Sequence, residues 1–241
     1  VRGVSLDGGE ERIADLLEYG GVTLERLPEA GILLRGSRTI YVDPFRLEDY
    51  QVFAADIVLV THGHEGHLSP ADLERVCRAD TMIVSNEEVV AKLAETNLPA
   101  ADALPPRGTF RGRGVDVEAV AAYMLEQEAG GANGATAAPR PEIPAHPFAD
   151  DGLGFVVEMD GVRVYHAGDS GLIPEMRLIE NIDIAVLPVA GWSVMSPDEA
   201  VTAVQALRPA VAVPVHYGYS WGSAEDAYLF EGMSDCRVEV L

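Results

Sequence analysis

The chain is dominated by short apolar runs of strand length, separated by turn residues and helix starts. Residues 56–60 (DIVLV) are continuously apolar, which is typical of a strand covered on both faces. Asp160 and Gly161 separate two such runs and predict a tight hairpin turn. Strands are predicted at residues 22–27, 31–34, 39–42, 56–60, 81–85, 154–159, 162–166, 183–187 and 210–215.

Helices are predicted between and beside these strands from their start signals and apolar spacing. Ser69 is followed by proline and then an acidic residue, the pattern of a capped helix start. At residues 9–19, Ile13, Leu16 and Leu17 would share one face, and a Gly-Gly pair would end the helix. Further helices are predicted at 86–96, at 196–207 and after Ser223. Because strands and helices alternate, we predict sheets layered with helices.

A weak internal repeat relates the two halves of the chain. Residues 56–73 and 183–200 align without a gap, each as an apolar strand, a loop and a Ser-Pro helix start. Strand-loop-helix units can converge on such a match by chance. A fold built from two similar halves explains it better.

A stretch rich in Gly, Ala and Pro interrupts this pattern at residues 126–145. It has no apolar period, which predicts a long surface loop. Similar strand and helix patterns lie on both sides of it. We therefore interpret it as an insertion within a single domain of residues 1–241, not as a linker between domains.

The charge of the chain excludes several classes of partner. Seventeen basic and 39 acidic residues give a net charge of −22, and Lys92 is the only lysine. A protein with this much negative charge repels nucleic acid and anionic membranes. We therefore expect a small-molecule substrate and no nucleic-acid or membrane partner. Scattered carboxylates with almost no lysine favour a surface adapted to concentrated salt, the alternative being an ordinary acidic cytosolic protein. The sequence leaves a homo-oligomer open.

The location is predicted from what the sequence lacks. Its first residues show neither the basic nor the apolar region of a signal peptide, and no apolar run reaches the length of a membrane span. We therefore expect a soluble, cytoplasmic protein. Cys77 and Cys236 form neither a disulfide framework nor a CxxC metal pair.

Three of the six histidines lie within residues 61–67 (THGHEGH), directly after the run at 56–60. His62 and His64 are two residues apart and can project to the same side of an extended segment. Imidazole is the commonest nitrogen ligand of metals, and α/β folds place ligands at the carboxyl ends of strands. We interpret this segment, which includes His67, as a metal-binding loop. The alternative is a polar loop that happens to contain three histidines.

Four other residues that could bind a metal occupy similar positions. His216 closes the apolar run AVAVPV, and Asp169 follows a short strand. His146 lies at the end of the Gly/Ala-rich segment, and His166 lies three residues before Asp169. A hydrogen-bonded interior histidine or a turn aspartate would explain each of them without a metal.

Together, THGHEGH, VYHAGDSG and VPVHYG, in this order, resemble the metallo-β-lactamase superfamily of metal-dependent hydrolases. The longer runs GFVVEMDGVRVYHAGDSGLIPEM and PAVAVPVHYGYSWGSAEDA are similar to stand-alone hydrolases related to ascorbate-6-phosphate lactonase. The resemblance extends over residues 22–231. It implies an α/β (α+β) fold, a four-layer αββα sandwich of two mixed sheets flanked by helices, with a metal site at one edge of the sheets.

The resemblance also implies a site with one or two divalent metal ions, zinc being expected and manganese or iron the alternatives. The implied residues are His62, His64 and His146 for one ion, His67 and His216 for a second, Asp169 between the two, and His166 as a residue that orients a ligand by hydrogen bonding.

The chain departs from the family pattern at two positions near this site. The family motif is His-x-His-x-Asp-His, and Gly66 stands where that Asp ligates the second metal and steers the attacking water. Glu65 is adjacent but points elsewhere by default. The family also carries Gly-His before its first apolar run, where this chain has Pro28 and Glu29. We therefore expect either a single metal ion or a weak second site.

The first functional hypothesis is a hydrolase that uses metal-activated water on a small ester, lactone, amide or phosphodiester. In it, Asp169 and Tyr217 are the candidate catalytic residues, with the Tyr217 hydroxyl stabilising a developing oxyanion; a packed aromatic residue is the alternative for Tyr217. The second hypothesis is a degenerate member that acts as a structural or interaction module, which Gly66 and Glu29 favour. A di-iron redox site is disfavoured, because such relatives place a carboxylate where His64 stands.

Overall fold

The computed structural model describes residues 16–125 and 151–241, whose strands form two seven-stranded sheets. The first sheet contains β1 (Leu16–Tyr19), β2 (Val22–Arg26), β3 (Ile32–Arg35), β4 (Thr39–Val42), β5 (Ile57–Leu59), β6 (Met82–Ser85) and β7 (Ala101–Ala103). The second contains β8 (Thr109–Gly112), β9 (Val115–Ala121), β10 (Leu153–Met159), β11 (Val162–His166), β12 (Ile184–Pro188), β13 (Val211–Val215) and β14 (Arg237–Val238). The nine predicted strands correspond to β2–β6 and β10–β13.

Both sheets have the same topology. In each, the strands follow one another in chain order, the first four pair antiparallel, and the fourth to seventh pair parallel. The two repeated segments supply the fifth strand of each sheet, β5 and β12, and the helix that follows it. The internal repeat seen in the sequence therefore reflects two similar halves.

The helices cover the outer faces of the sheets. They are α1 (Pro70–Val76), α2 (Glu87–Leu93), α3 (Pro197–Leu207) and α4 (Ala224–Met233), with a short 3₁₀ helix at Pro174–Leu178. Buried residues of α1 and α2, such as Leu73 and Val89, pack on the first sheet. Val204 of α3 and Phe230 of α4 pack on the second. A third core, which includes Phe155, fills the space between the sheets. The predicted four-layer αββα sandwich of two mixed sheets is confirmed.

The predicted helix starts are formed by local side-chain hydrogen bonds. The hydroxyl of Ser69 accepts a hydrogen bond from the backbone N–H of Asp72 at 3.2 Å. The backbone N–H of Ser196 donates to the carboxylate of Glu199 at 2.8 Å, which completes a capping box. These bonds satisfy backbone groups that a helix terminus leaves without partners.

The helix predicted at residues 9–19 is wrong for its last four residues, which form strand β1; residues 9–15 lie outside the described part of the chain. Gly20 and Gly21 have φ of 56° and 87° and join β1 to β2 in a two-residue hairpin, since such a turn needs positive φ at both positions. Leu17 is 2% exposed, whereas Leu16 is 50% exposed, as the two-residue period of a strand requires.

Two other sequence predictions concern the surface loop and the absence of a membrane span. The predicted loop at 126–145 lies outside the described residues. No helix within residues 16–125 and 151–241 is long and apolar enough to cross a membrane.

We expect Leu17→Ala to lower the free energy of unfolding by about 2–5 kcal/mol, because it removes a buried side chain from the core between the sheets. Leu16→Ala, the matched control on the exposed face of β1, should change it by less than about 0.5 kcal/mol. Urea denaturation measures both values. Equal losses would contradict the strand, since a helix would bury both leucines on one face.

Candidate metal centre

Loops that follow strands of both sheets converge at one edge of the sandwich. Asp43 directly follows β4, and residues 61–67 follow β5, its parallel neighbour in the first sheet. From the second sheet, Asp169 lies just beyond β11 and His216 directly follows β13. The backbone N–H of Leu153 donates to the carbonyl oxygen of Thr61 at 2.9 Å and ties this edge together.

Asp169 lies between two of the predicted histidine ligands. Its Oδ2 is 3.3 Å from Nε2 of His67 and 3.4 Å from Nε2 of His216. His62, His67 and Asp169 each offer a ligand atom within 4.8 Å of the others, and the rings of His62 and His67 are 4.0 Å apart. All four side chains are buried. The fold thus brings together four of the predicted site residues from three loops.

The other predicted histidines differ in their surroundings. His64 is exposed, lines the cavity beside the cluster, and places its ring 5.0 Å from that of His62. His146 lies outside the described residues.

His166 is buried and holds backbone groups beside the cluster. Gly168 N–H donates to its Nδ1 at 3.1 Å, so Nε2 carries the proton and donates to the carbonyl oxygen of Ala30 at 2.7 Å. Burial lowers the pKa of His166, which keeps its imidazole neutral. His166 therefore supports the loop that presents Asp169, and it does so through the backbone.

Asp43 is part of this site and was not predicted from the sequence. Its carboxylate is completely buried and accepts hydrogen bonds from the backbone N–H of Thr61 at 2.7 Å and from the Thr61 hydroxyl at 2.6 Å. It also lies 2.8 Å from Nδ1 of His67, which directs Nε2 of that ring toward Asp169. The signal was present, because Asp43 follows an apolar strand in the same way that Asp169 follows another.

These contacts set the charges of His67 and Asp169. Burial alone would lower the pKa of His67, but the carboxylates of Asp169 and Asp43 raise it to about 10. Burial alone would raise the pKa of Asp169, but His67 and His216 hold it well below its ordinary value. At neutral pH the cluster therefore contains a protonated His67 between two carboxylates.

The cluster forms one wall of a cavity of about 400 Å³. The described residues that line this cavity are Glu29, Phe45, Arg46, His64, Glu65, Gly66, His67, Asp169, Ser193, His216, Ser220 and Trp221. Charged ligand-type groups thus meet aromatic side chains in a space large enough for a small molecule.

Tyr217 has the packed surroundings that were the alternative to a catalytic role. It is buried, its hydroxyl donates to the carbonyl oxygen of Leu241 at 2.8 Å, and the guanidinium of Arg26 lies 3.8 Å from its ring centre. It is not among the described residues that line the cavity. Catalysis by its hydroxyl stays a prediction from the sequence.

The cluster fits a divalent metal ion. Ligand atoms 2.0–2.1 Å from a tetrahedral ion lie about 3.3 Å apart, close to the separations of Asp169 Oδ2 from the two Nε2 atoms. Imidazole nitrogens combined with a carboxylate suit zinc, iron or manganese. In addition, Nδ1 of His216 is buried without a hydrogen-bond partner among the described residues, so this ring also has a nitrogen free to turn toward a partner.

Comparison with known proteins identifies relatives over most of the chain. The model of a family described as the beta-lactamase superfamily domain matches residues 32–216. A UPF0173 metal-dependent hydrolase from Methanoculleus marisnigri is 37% identical over 198 residues, which cover 79% of each chain. Another, from Thermococcus onnurineus, is 30% identical over 237 residues, covering 91% of this chain and 95% of its own.

Solved structures share the fold. A crystal structure from Parabacteroides distasonis superposes with a TM-score of 0.74 at 27% identity and covers 94% of this chain and 97% of its own. Igni18, a metallo hydrolase from Ignicoccus hospitalis, has a TM-score of 0.68 at 23% identity. The match covers 91% of this chain and 94% of the Igni18 chain. The similarity to ascorbate-6-phosphate lactonase stays a prediction. With its family match and its two-sheet architecture, this chain belongs to the beta-lactamase superfamily, beside the UPF0173 metal-dependent hydrolases.

Proposed function

We propose that this protein is a metal-dependent hydrolase that acts on a small ester, lactone, amide or phosphodiester. The observation that carries the proposal is the buried arrangement of His67, Asp169 and His216, with Asp169 Oδ2 within 3.4 Å of both imidazoles, in the wall of a cavity. The relatives named as metal-dependent hydrolases support the same reaction class.

The metal would be held by the buried histidines and the aspartate described above. His62, His67 and Asp169 would bind one ion, and His216 would join through Asp169. His64 and His146 complete the set that the sequence assigns, and zinc is the expected ion, with manganese or iron as alternatives. When bound, such an ion lowers the pKa of water from 15.7 to about 7 and polarises the bond to be broken.

The residues of the chain prepare the site for that chemistry. Asp43 fixes the ring of His67, and Asp169 supplies the central carboxylate. The aromatic rings of Phe45 and Trp221 line the cavity, where they would exclude water from around a bound substrate. The volume of about 400 Å³ matches a small-molecule site, and the charge of −22 disfavours nucleic acid.

A structural or interaction module without catalysis is a weaker explanation of this site. Burying two carboxylates and a charged imidazole costs free energy, and a module has no need of them beside a cavity. A cytoplasmic location, a surface adapted to salt and a homo-oligomeric state stay part of the proposal.

The first experiment measures metal content. Protein purified without chelator and reconstituted with Zn²⁺ should hold one or two equivalents per chain by elemental analysis. Asp169→Ala and His62→Ala should lose metal, because each removes a member of the ligand cluster. A wild-type protein that binds no metal after reconstitution would overturn the proposed function; one that binds it justifies screening lactones and phosphodiesters.

Asp43→Asn should weaken Zn²⁺ binding by about 10–100-fold, because an amide no longer holds the His67 ring as a carboxylate does. Isothermal titration calorimetry measures the affinity. Asp72→Asn is the matched control: Asp72 is another buried aspartate held by backbone N–H groups, those of Arg46 and Leu47. It should cost stability but change the Zn²⁺ affinity less than about twofold.

The Zn²⁺ affinity should rise about tenfold per pH unit between pH 7 and pH 9. His67 has a pKa of about 10 in the metal-free protein and must lose its proton to bind an ion through Nε2, so protons compete with the metal over this range. Titrations with chelator-buffered Zn²⁺ measure the slope. An affinity that levels off above pH 7.5 would indicate a histidine with an ordinary pKa.

A further inference from the structure

Glu29 is a buried carboxylate in the same cavity whose chemistry the site described so far does not use. It lies in the turn between β2 and β3, is 2% exposed, and has a positive φ of 57°. Asp43 and His216, at the same edge of the sandwich, share this left-handed conformation, which turn residues elsewhere such as Asp160 also adopt.

One oxygen of this carboxylate is anchored and the other is not. Oε1 accepts hydrogen bonds from the backbone N–H of Ser220 at 3.2 Å and from the Ser220 hydroxyl, and Nη1 of Arg46 lies 3.6 Å away. Oε2 is buried and has no hydrogen-bond partner among the described residues. A buried carboxylate oxygen without a hydrogen-bond donor costs free energy. A donor or a cation in the cavity would therefore stabilise Oε2.

The turn is held by the loops that carry the proposed metal ligands. The backbone N–H of His216 donates to the carbonyl oxygen of Glu29 at 2.9 Å. Nε2 of His166 donates to the carbonyl oxygen of Ala30, the next residue, at 2.7 Å. The turn that carries Glu29 is therefore fixed to the second sheet at two points, the end of β11 just before Asp169, and His216.

On its other side, Glu29 contacts the histidine loop. A Cβ atom placed on Gly66 would lie 3.7 Å from Cγ of Glu29, an ordinary van der Waals distance, so the Glu29 side chain lies directly beside position 66. Glu65 also lines the cavity but is exposed. Of the two glutamates near Gly66, Glu29 is the one held inside the site.

We propose that Glu29 is the carboxylate that orients the attacking water, with Oε2 as the acceptor, and that its negative charge strengthens metal binding beside His67 and His216. This inference rests on the proposed function. Oε1 is held by Ser220 and Oε2 alone is left without a partner among the described residues, so we assign Glu29 to water and not to direct coordination. It thus performs from the β2–β3 turn the water-steering role that the family resemblance gives to an aspartate at position 66.

The test compares Glu29→Gln with Glu65→Gln by two titrations. Glu29→Gln keeps an acceptor for Ser220 but removes the negative charge and the second acceptor. We expect Zn²⁺ binding to weaken about 10–100-fold. In the Co²⁺-loaded protein, azide should bind about three- to tenfold more tightly, followed by visible absorption, because a carboxylate no longer repels an anion at the water position. In Glu65→Gln, which removes an exposed charge from the same cavity, both constants should change less than about twofold.

The opposite signs separate this role from a structural one, since a distorted site would bind both the metal and azide more weakly. Ser220→Ala removes an anchor of Oε1 and leaves the Glu29 charge in place, so azide binding should not tighten in this variant. Unchanged Zn²⁺ and azide binding in Glu29→Gln, or equal effects in Glu65→Gln, would overturn the role of Glu29 and leave the hydrolase proposal standing. A wild-type chain without affinity for Zn²⁺ would overturn both.

Discussion

The geometry of the site depends on a buried alternation of carboxylates and imidazoles that runs from Asp43 through His67 and Asp169 to His216. Buried ions are costly unless each has partners, and here every carboxylate lies against an imidazole. Asp43 also accepts two hydrogen bonds from Thr61, so the histidine loop is fixed to the end of β4. The same contacts turn Nε2 of His67 toward the second sheet, and the two sheets meet through this chain of carboxylates and imidazoles.

The repeated topology explains where this chain of carboxylates and imidazoles lies but not which residues form it. Asp43 and Asp169 both follow the fourth strand of their sheet, and the histidine loop follows a fifth strand. The equivalent loop of the second sheet, after β12, has the sequence VAGWSVM and no histidine. The site is therefore asymmetric: the first half supplies the histidine loop, and the second supplies Asp169 and His216.

Several features followed from the sequence because their causes are local. Continuous apolar runs became central strands, and serine-proline pairs became helix starts, since caps are formed by neighbouring residues. Residues 16–19 were wrongly predicted as part of a helix, because adjacent leucines fit the apolar period of a helix as well as that of a strand. Only pairing with β2 makes them a strand. Asp43 was missed because an aspartate after a strand is common, and nothing along the chain shows that it reaches His67.

The sequence by itself determined the layered α/β fold, the histidine loop and the approximate set of ligand-type residues, because apolar periodicity and residue chemistry are written along the chain. Only the tertiary structure decided which of these side chains meet. Glu65 adjoins Gly66 in sequence yet is exposed at the rim of the cavity, while Glu29, far away along the chain, is buried beside Gly66. Backbone geometry directs neighbouring side chains apart, and the packing of two sheets brings distant loops to one edge, so proximity in sequence does not determine membership of the site.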